Sequence, residues 1–234
     1  MQPALITLDL DHTLWDTDPV IHAAELACFR WIEQHCPVAA EFYTLETLRD
    51  YKNTIAECYP QWRHQVSHLR REVLRRIFLQ AGLQDIAAGD MANAAFDVFY
   101  QARNRVTLFD GALQSLQQLS QSCPLIALTN GNANLSLIGI DHLFTAHFSA
   151  EHIGAAKPAA DMFEAAMSHV GADPQHCVHV GDHQEQDIIA AQQLGIKTVW
   201  VNVSDADWGY SDCQPDQEIN HLAQLPQAIA AISA

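Results

Sequence analysis

Four short segments of this chain carry residue types whose spacing can do chemistry. Asp9-Leu10-Asp11-His12-Thr13 sets two carboxylates one residue apart. Where a chain leaves a strand, side chains two apart reach one mouth, so such a pair can divide nucleophilic and proton-transfer duties. Leu128-Thr129-Asn130-Gly131-Asn132 ends an apolar run in a hydroxyl and turn formers, whose exposed amides can hold phosphate oxygens. Ala156-Lys157-Pro158 places an ammonium just before the expected first turn of a helix, where cation and helix amides address the same anion. His179-Val180-Gly181-Asp182, with Asp187 in the following turn, adds two acids. Paired acids suit a hard cation such as Mg²⁺, which takes oxygen ligands and keeps several waters. Each fragment also has an ordinary reading: acids cap turns and helices, and lysines decorate surfaces.

The elements that must position these groups are legible around them. Residues 4–8, 125–129, 177–180 and 198–201 are short β-rich runs, compact enough for buried strands. Helical stretches lie between the later runs: Asp110 can cap 111–121, Pro158 suits a first turn, and 184–194 stops at Gly195. Alternation of this kind predicts an α/β fold, a Rossmann-like, doubly wound parallel sheet. All four motifs then fall at the carboxyl ends of strands, where open α/β sheets bind ligands.

Residues 16 to about 105 break the rhythm. Helices are expected from Asp18-Pro19 to about 35, from Thr44 to about 57, over 61–80 and over 90–104, with no strand between them. Leu69, Val73 and Ile77, flanked by Leu74 and Phe78, mark a packed stripe in the third. The predicted organisation is a core of residues 1–16 and 105–234 interrupted by an all-helical cap domain over 17–104.

Together the motifs resemble those of the haloacid dehalogenase-like hydrolases with a helical cap: DxDxT at Asp9, Asp11 and Thr13, the strand-end Thr129, Lys157, and GDxxxxD at Asp182 and Asp187. The resemblance spans nearly the whole chain, and within the family it is greatest to the YigB-type bacterial phosphatases. It implies an Mg²⁺-dependent phosphatase working through an aspartyl phosphate. Asp9 would be the nucleophile and Asp11 the general acid and base. Thr129, with the amides of Asn130 and Gly131, would hold the phosphoryl oxygens, and Lys157 would neutralise them and the nucleophile. Asp9 and Asp182 would bind the metal through side chains and Asp11 through its carbonyl, with Asp187 orienting from behind. Flavin mononucleotide or 5-amino-6-(5-phospho-D-ribitylamino)uracil is the implied substrate, and Trp15, at the motif's edge, the candidate for selecting it. Gln186, where many relatives carry Asn, and His12, where they carry Asp or Gly, depart from the pattern without removing a needed group.

Other readings are weaker on chemical grounds. Dehalogenating relatives lack a carboxylate at the position of Asp11. A sugar phosphomutase, which keeps both acids and returns the phosphoryl group to the substrate, is the open alternative, separated from a phosphatase by product analysis. Signalling receivers are about half this length and have no cap.

Composition narrows the partners. Over 234 residues, 49% hydrophobic content excludes a largely disordered chain, and a net charge of −16 argues against nucleic acid or an anionic membrane as partner. No apolar run approaches the roughly 20 residues of a membrane helix, and no signal peptide is read, so the expectation is a cytoplasmic protein. It is expected to act on a small phosphorylated metabolite, as a monomer or small homo-oligomer. The six cysteines lie far apart without a CxxC and read as reduced thiols. His64 and His68 share HxxxH spacing, but Gln65 stands where a zinc peptidase needs Glu. Arg70, Arg71, Arg75 and Arg76 read as a solvated face. His12 and His183, beside motif acids, read as bystanders, and the cap aromatics as core.

Overall fold

The computed structural model describes residues 2–232 and divides into two units, Met1–Asp16 with Thr107–Ala234, and Thr17–Val106. The first unit is built on six strands: β1 (Leu5–Leu8), β2 (Leu125–Thr129), β3 (Ala146–Ser149), β4 (Cys177–Gly181), β5 (Lys197–Val201) and β6 (Gln217–Ile219). They form one sheet in the order β3-β2-β1-β4-β5-β6, and every pairing is parallel. The expected doubly wound α/β fold is therefore present. In this order the chain winds outward from β1 to β2 and β3, then crosses back to β4. The carboxyl ends of β1 and β4 flank the reversal, where a crevice opens.

Strands β1, β2 and β4 are buried at every residue, as strands covered on both faces must be. The two strands without a clear sequence signal are the sheet's edges. Edge β3 is only half-buried along its length, and β6 is three residues long with Ile219 alone buried. An edge needs no unbroken apolar run. On one face, Met162, Phe163 and Ala166 pack with Ala190 and Ala191 against Leu5, Ile126, Leu128 and Cys177. Helix Leu225–Ile232 lies against β5, β6 and helix Ala112–Ser120.

In the first unit, two helix starts differ from expectation. Helix Ala112–Ser120 is capped by Gly111 at φ 81°, not by Asp110. A β-carbon at Gly111 would stand 2.6 Å from the Ala223 nitrogen, so the turn needs a residue without one. The helix after Lys157 begins at Asp161, which leaves Lys157 and Pro158, joined by a cis peptide bond, in a turn ahead of it.

The second unit is all helical among the described residues, with helices Thr17–His35, Pro37–Phe42, Leu45–Cys58, Val66–Gln80 and Asp85–Arg103. Thr44 caps the third as expected, in a reciprocal pair with Thr47. The fourth starts late because Pro60–Trp62 makes a separate 3-10 turn. The fifth starts early because Gly89 lies inside the helix and does not break it. Leu69, Val73, Ile77, Leu74 and Phe78 all enter the core, beside the small Ala88, Ala92 and Ala95, which let helices approach closely.

Two of the four arginines, Arg70 and Arg71, lie over aromatic rings and not in a purely solvated face. Arg70 lies 3.6 Å from the centroid of the Phe99 ring and Arg71 3.7 Å from that of Phe96. Arg76 pairs with Glu72 at 2.7 Å, and Arg75 with Glu72 and Asp85. Their positive charge is spent on the unit's own rings and acids, each cation–π contact contributing about 0.5–2 kcal/mol. His68 meets Trp62 edge-on. All six cysteines are free thiols, and burial raises Cys28, Cys123 and Cys177 to about 11. No helix among the described residues is long and apolar enough to cross a membrane.

Candidate active site

The crevice between β1 and β4 gathers the motif acids around one lysine. Asp9 extends the β1 ladder by donating its N–H to Val180 O at 2.9 Å, which delivers its carboxylate to the end of the sheet. Lys157, only 3% exposed, donates to Asp9 Oδ1 at 2.6 Å, Asp187 Oδ1 at 2.6 Å and Leu128 O at 3.0 Å. These three bonds match the three protons of an ammonium, so its donors are all engaged. On the other side of Asp9, the Thr13 hydroxyl lies 3.2 Å from Asp9 Oδ2 and 3.0 Å from Asp182 Oδ1, and it accepts the Asp182 N–H at 3.1 Å. A single hydroxyl proton can serve one of these carboxylates at a time.

The lysine is itself placed by Asn130. Asn130 Oδ1 accepts from Lys157 N at 2.8 Å, and Asn130 Nδ2 donates to Lys157 O at 2.9 Å and to Gln186 Oε1 at 2.8 Å. Gln186, a departure from the family pattern, thus closes a clamp on the lysine's backbone. Thr129 Oγ1 accepts the Gly131 N–H at 2.9 Å, a local side-chain turn. The Gly131 amide therefore serves Thr129, and the hydroxyl's own proton is left to donate.

Asp187 sits behind these groups, 1% exposed. Its Oδ1 meets Lys157 and, at 3.2 Å, His179 Nε2, while its Oδ2 accepts from His183 N at 3.0 Å. The carboxylate lies directly on Gly181: a β-carbon there would stand 2.4 Å from Asp187 Cγ. The glycine of the Gly-Asp motif is thus required by packing. His183 caps the turn over Gln184–Ile189, its Nδ1 accepting from Glu185 N and Gln186 N at 3.2 Å each. That Nδ1 consequently carries no proton, and the ring acts as a helix cap.

Charge sharpens the division of labour. Burial pushes the Asp9 carboxyl well above its ordinary range, against the pull of Lys157, with Asp187 and Asp182 adding to the rise. Burial also works against Asp187, but Lys157 and His179 outweigh it and hold that carboxyl well below its ordinary range. Burial alone would lower Lys157; the two acids more than reverse this and keep it charged. Asp182 is raised, by burial first and Asp187 next. One oxygen from each of Asp9, Asp182 and Asp187 lies within 4.8 Å of the others. Three carboxylates against one ammonium, all oxygen donors, fit a hard divalent cation: at an effective dielectric near 20, each like-charge pair at 4 Å costs about 4 kcal/mol.

Asp11 and Trp15 take up positions the motif alone does not reveal. Trp15 is wholly buried, and its indole Nε1 donates to Asp11 Oδ1 at 3.0 Å. Its ring is packed away and its polar edge is turned to the acid, so it presents no face to a substrate. His12 between them stands at φ 62°.

Thr7 and His179 are site residues that sequence reasoning missed. They are direct partners in the β1–β4 register, and Thr7 Oγ1 lies 2.8 Å from His179 Nδ1. His179 is fully buried, edge-on to Phe163, and burial lowers it despite Asp187. The neutral ring therefore carries its proton on Nε2, toward Asp187. The available signal is a polar residue inside an otherwise apolar strand, in each strand at the same level. Trp200 belongs to none of the four motifs; its Nε1 donates to Asp182 O at 2.7 Å and steadies the turn that carries this acid.

The comparisons with known proteins agree with this geometry. A family model described as haloacid dehalogenase-like hydrolase matches residues 3–195. The 5-amino-6-(5-phospho-D-ribitylamino)uracil phosphatase YigB of Escherichia coli is 31% identical over 228 residues, covering 96% of this chain and 95% of that protein. A phosphoserine phosphatase of Thermus thermophilus is 25% identical, covering 85% and 88%. Among solved structures, a 2-haloacid dehalogenase from Pseudomonas syringae superposes with a TM-score of 0.93 at 35% identity, covering 99% of each chain. With the acids, the lysine and the sheet reversal in one place and the family model matching most of its length, the chain belongs to the haloacid dehalogenase-like hydrolases.

Proposed function

We propose that the chain is an Mg²⁺-dependent phosphatase that hydrolyses a small phosphate monoester through an aspartyl phosphate. The observation that carries the reading is the buried Lys157 ammonium shared between Asp9 and Asp187, with Asp182 within reach across Thr13. Lys157 pulls against the burial that raises the Asp9 carboxyl and so favours its anion. An oxygen of Asp9 bonds to phosphorus, the ester P–O bond breaks, and the departing oxygen takes a proton from Asp11. Water then bonds to phosphorus while Asp11 takes its proton, and the Asp9–phosphorus bond breaks to release phosphate. Thr129 offers a hydroxyl proton to the phosphoryl oxygens. Asp9, Asp182 and the carbonyl of Asp11 would hold Mg²⁺, which supplies positive charge to the transferring phosphoryl group. Asp187, already bonded to Lys157, His179 and His183, positions the lysine.

Asp11 separates this reading from dehalogenation, which the name of the Pseudomonas syringae structure raises. A halide leaves as a stable anion and needs no proton, whereas an alkoxide does, and such assistance contributes about 10²–10⁴ in rate. The name of the Escherichia coli relative points to 5-amino-6-(5-phospho-D-ribitylamino)uracil as substrate, with flavin mononucleotide as the other candidate. The test is phosphate release from both, from a panel of other phosphorylated metabolites and from an aryl phosphate, alongside halide release from a 2-haloacid. Chelator-sensitive phosphate release that disappears in Asp9→Asn is expected. Turnover retained in Asp9→Asn, or halide release alone, would overturn the proposal.

A further inference from the structure

The Asp11–Trp15 contact is built by the backbone as well as by the side chains. Trp15 forms a parallel bridge with Asp11 and an antiparallel one with Leu108, and Phe109 N donates to Leu14 O at 2.8 Å. His12, in the left-handed region at φ 62°, bends the chain so that residue 15 returns to residue 11, a conformation costing a residue with a β-carbon about 1–2 kcal/mol. Strain of this kind persists only where its surroundings over-determine it, and here the result is one indole N–H on one carboxylate oxygen.

We propose that Trp15 is a positioning residue of Asp11, holding its Oδ1 so that the carboxyl keeps one orientation toward the substrate. This rests on the phosphatase reading above. The terminal torsion of an aspartate is broad and roughly two-fold, so an unanchored carboxyl presents either oxygen over a range of angles. Indole is a donor only. Its N–H on Oδ1 at 3.0 Å restricts the rotation of the carboxyl. When Asp9 attacks phosphorus and the ester P–O bond breaks, the carboxyl proton of Asp11 goes to the leaving oxygen and Asp11 becomes a carboxylate. The same carboxylate takes the proton of the attacking water when the Asp9–phosphorus bond breaks in turn. One fixed orientation serves both halves of the cycle.

The experiment is Trp15→Phe, which keeps a ring and removes the N–H. Phosphoenzyme formation is followed in single turnovers with phenyl phosphate, whose leaving oxygen needs a proton, and para-nitrophenyl phosphate, whose leaving group departs as a stabilised anion. The phenyl to para-nitrophenyl rate ratio should fall about tenfold, part of the 10²–10⁴ that the acid itself contributes, with KM for both substrates near wild type. Because both rates come from one preparation, the ratio does not depend on the fraction folded. Adding Trp15→Phe to Asp11→Asn should leave the ratio where Asp11→Asn put it. A ratio unchanged by Trp15→Phe would reduce Trp15 to packing, as would a further fall in the Asp11→Asn background. Either result leaves the phosphatase reading standing, whereas activity in Asp9→Asn would remove that reading itself.

Discussion

Replacing Gly181 by alanine isolates the packing of Asp187 from its chemistry. The new β-carbon would stand 2.4 Å from Asp187 Cγ, 2.5 Å from its Cβ and 2.5 Å from its Oδ2, where ordinary contact begins at 3.4 Å. The strand cannot yield, because Gly181 is paired with Trp200 on one side and Val180 with Leu8 on the other. Asp187 must therefore retreat by about 1 Å to regain ordinary contact. A retreat of that size turns its 2.6 Å bond to Lys157 into one of about 3.6 Å, beyond hydrogen-bond range. A misplacement of about 1 Å in catalytic machinery can cost about 10²-fold in rate, and overpacking of a buried site adds about 1–3 kcal/mol of destabilisation. In steady-state phosphate release at saturating Mg²⁺, Gly181→Ala should lower kcat by about 10²-fold. Asp187→Asn should then add little to Gly181→Ala, since both changes break the same contact. A kcat within about twofold of wild type in a folded Gly181→Ala protein would refute the claim that Asp187 is held by this glycine.

Two further predictions concern stability. Gly89 lies inside helix Asp85–Arg103, and a methyl group added there would find nothing within 4 Å, so Gly89→Ala should stabilise by about 0.5–1 kcal/mol; a lower Tm would refute it. His179 is held below its ordinary pKa by burial, so as pH falls through about 6.5 the unfolded chain takes up a proton that the folded one refuses, and stability is lost at up to about 1.36 kcal/mol per pH unit until the folded ring itself titrates. His179→Gln should flatten that part of the dependence in urea unfolding between about pH 7 and 5.5, and equal slopes would count against a neutral buried ring.

The acids were legible because chemistry constrains their types and the ends of apolar strands mark their places. What those acids touch was not. Asn130 reads as a turn former, and its clamp on Lys157 depends on a segment 27 residues away. Trp15 reads as a large ring at a motif's edge, and only the bend at His12 shows that its N–H meets Asp11. Gly181 and Gly89 are one residue type in sequence, yet one is fixed by a carboxylate and the other touches nothing. The helices of Thr17–Val106 were found by their apolar spacing and misjudged at their ends: Pro60–Trp62 makes its own 3-10 turn ahead of the fourth, while Gly89, a local breaker, is carried inside the fifth because tertiary packing overrides propensity. The edge strands β3 and β6 were missed because partial exposure removes the apolar signal by which inner strands are recognised.

The pairing of Leu14 with Phe109, and of Trp15 with Leu108, fastens the seam at which the chain departs from the sheet-bearing unit and comes home. To that unit the whole of Thr17–Val106 is a loop whose mouth is already sewn shut, and lengthening a flexible loop costs only about 0.6 kcal/mol for each doubling. Descendants of such a protein can enlarge, trim or exchange the excursion while β1 stays in register. Heritable variation in the inserted helices is thereby uncoupled from the setting of Asp9 and Lys157.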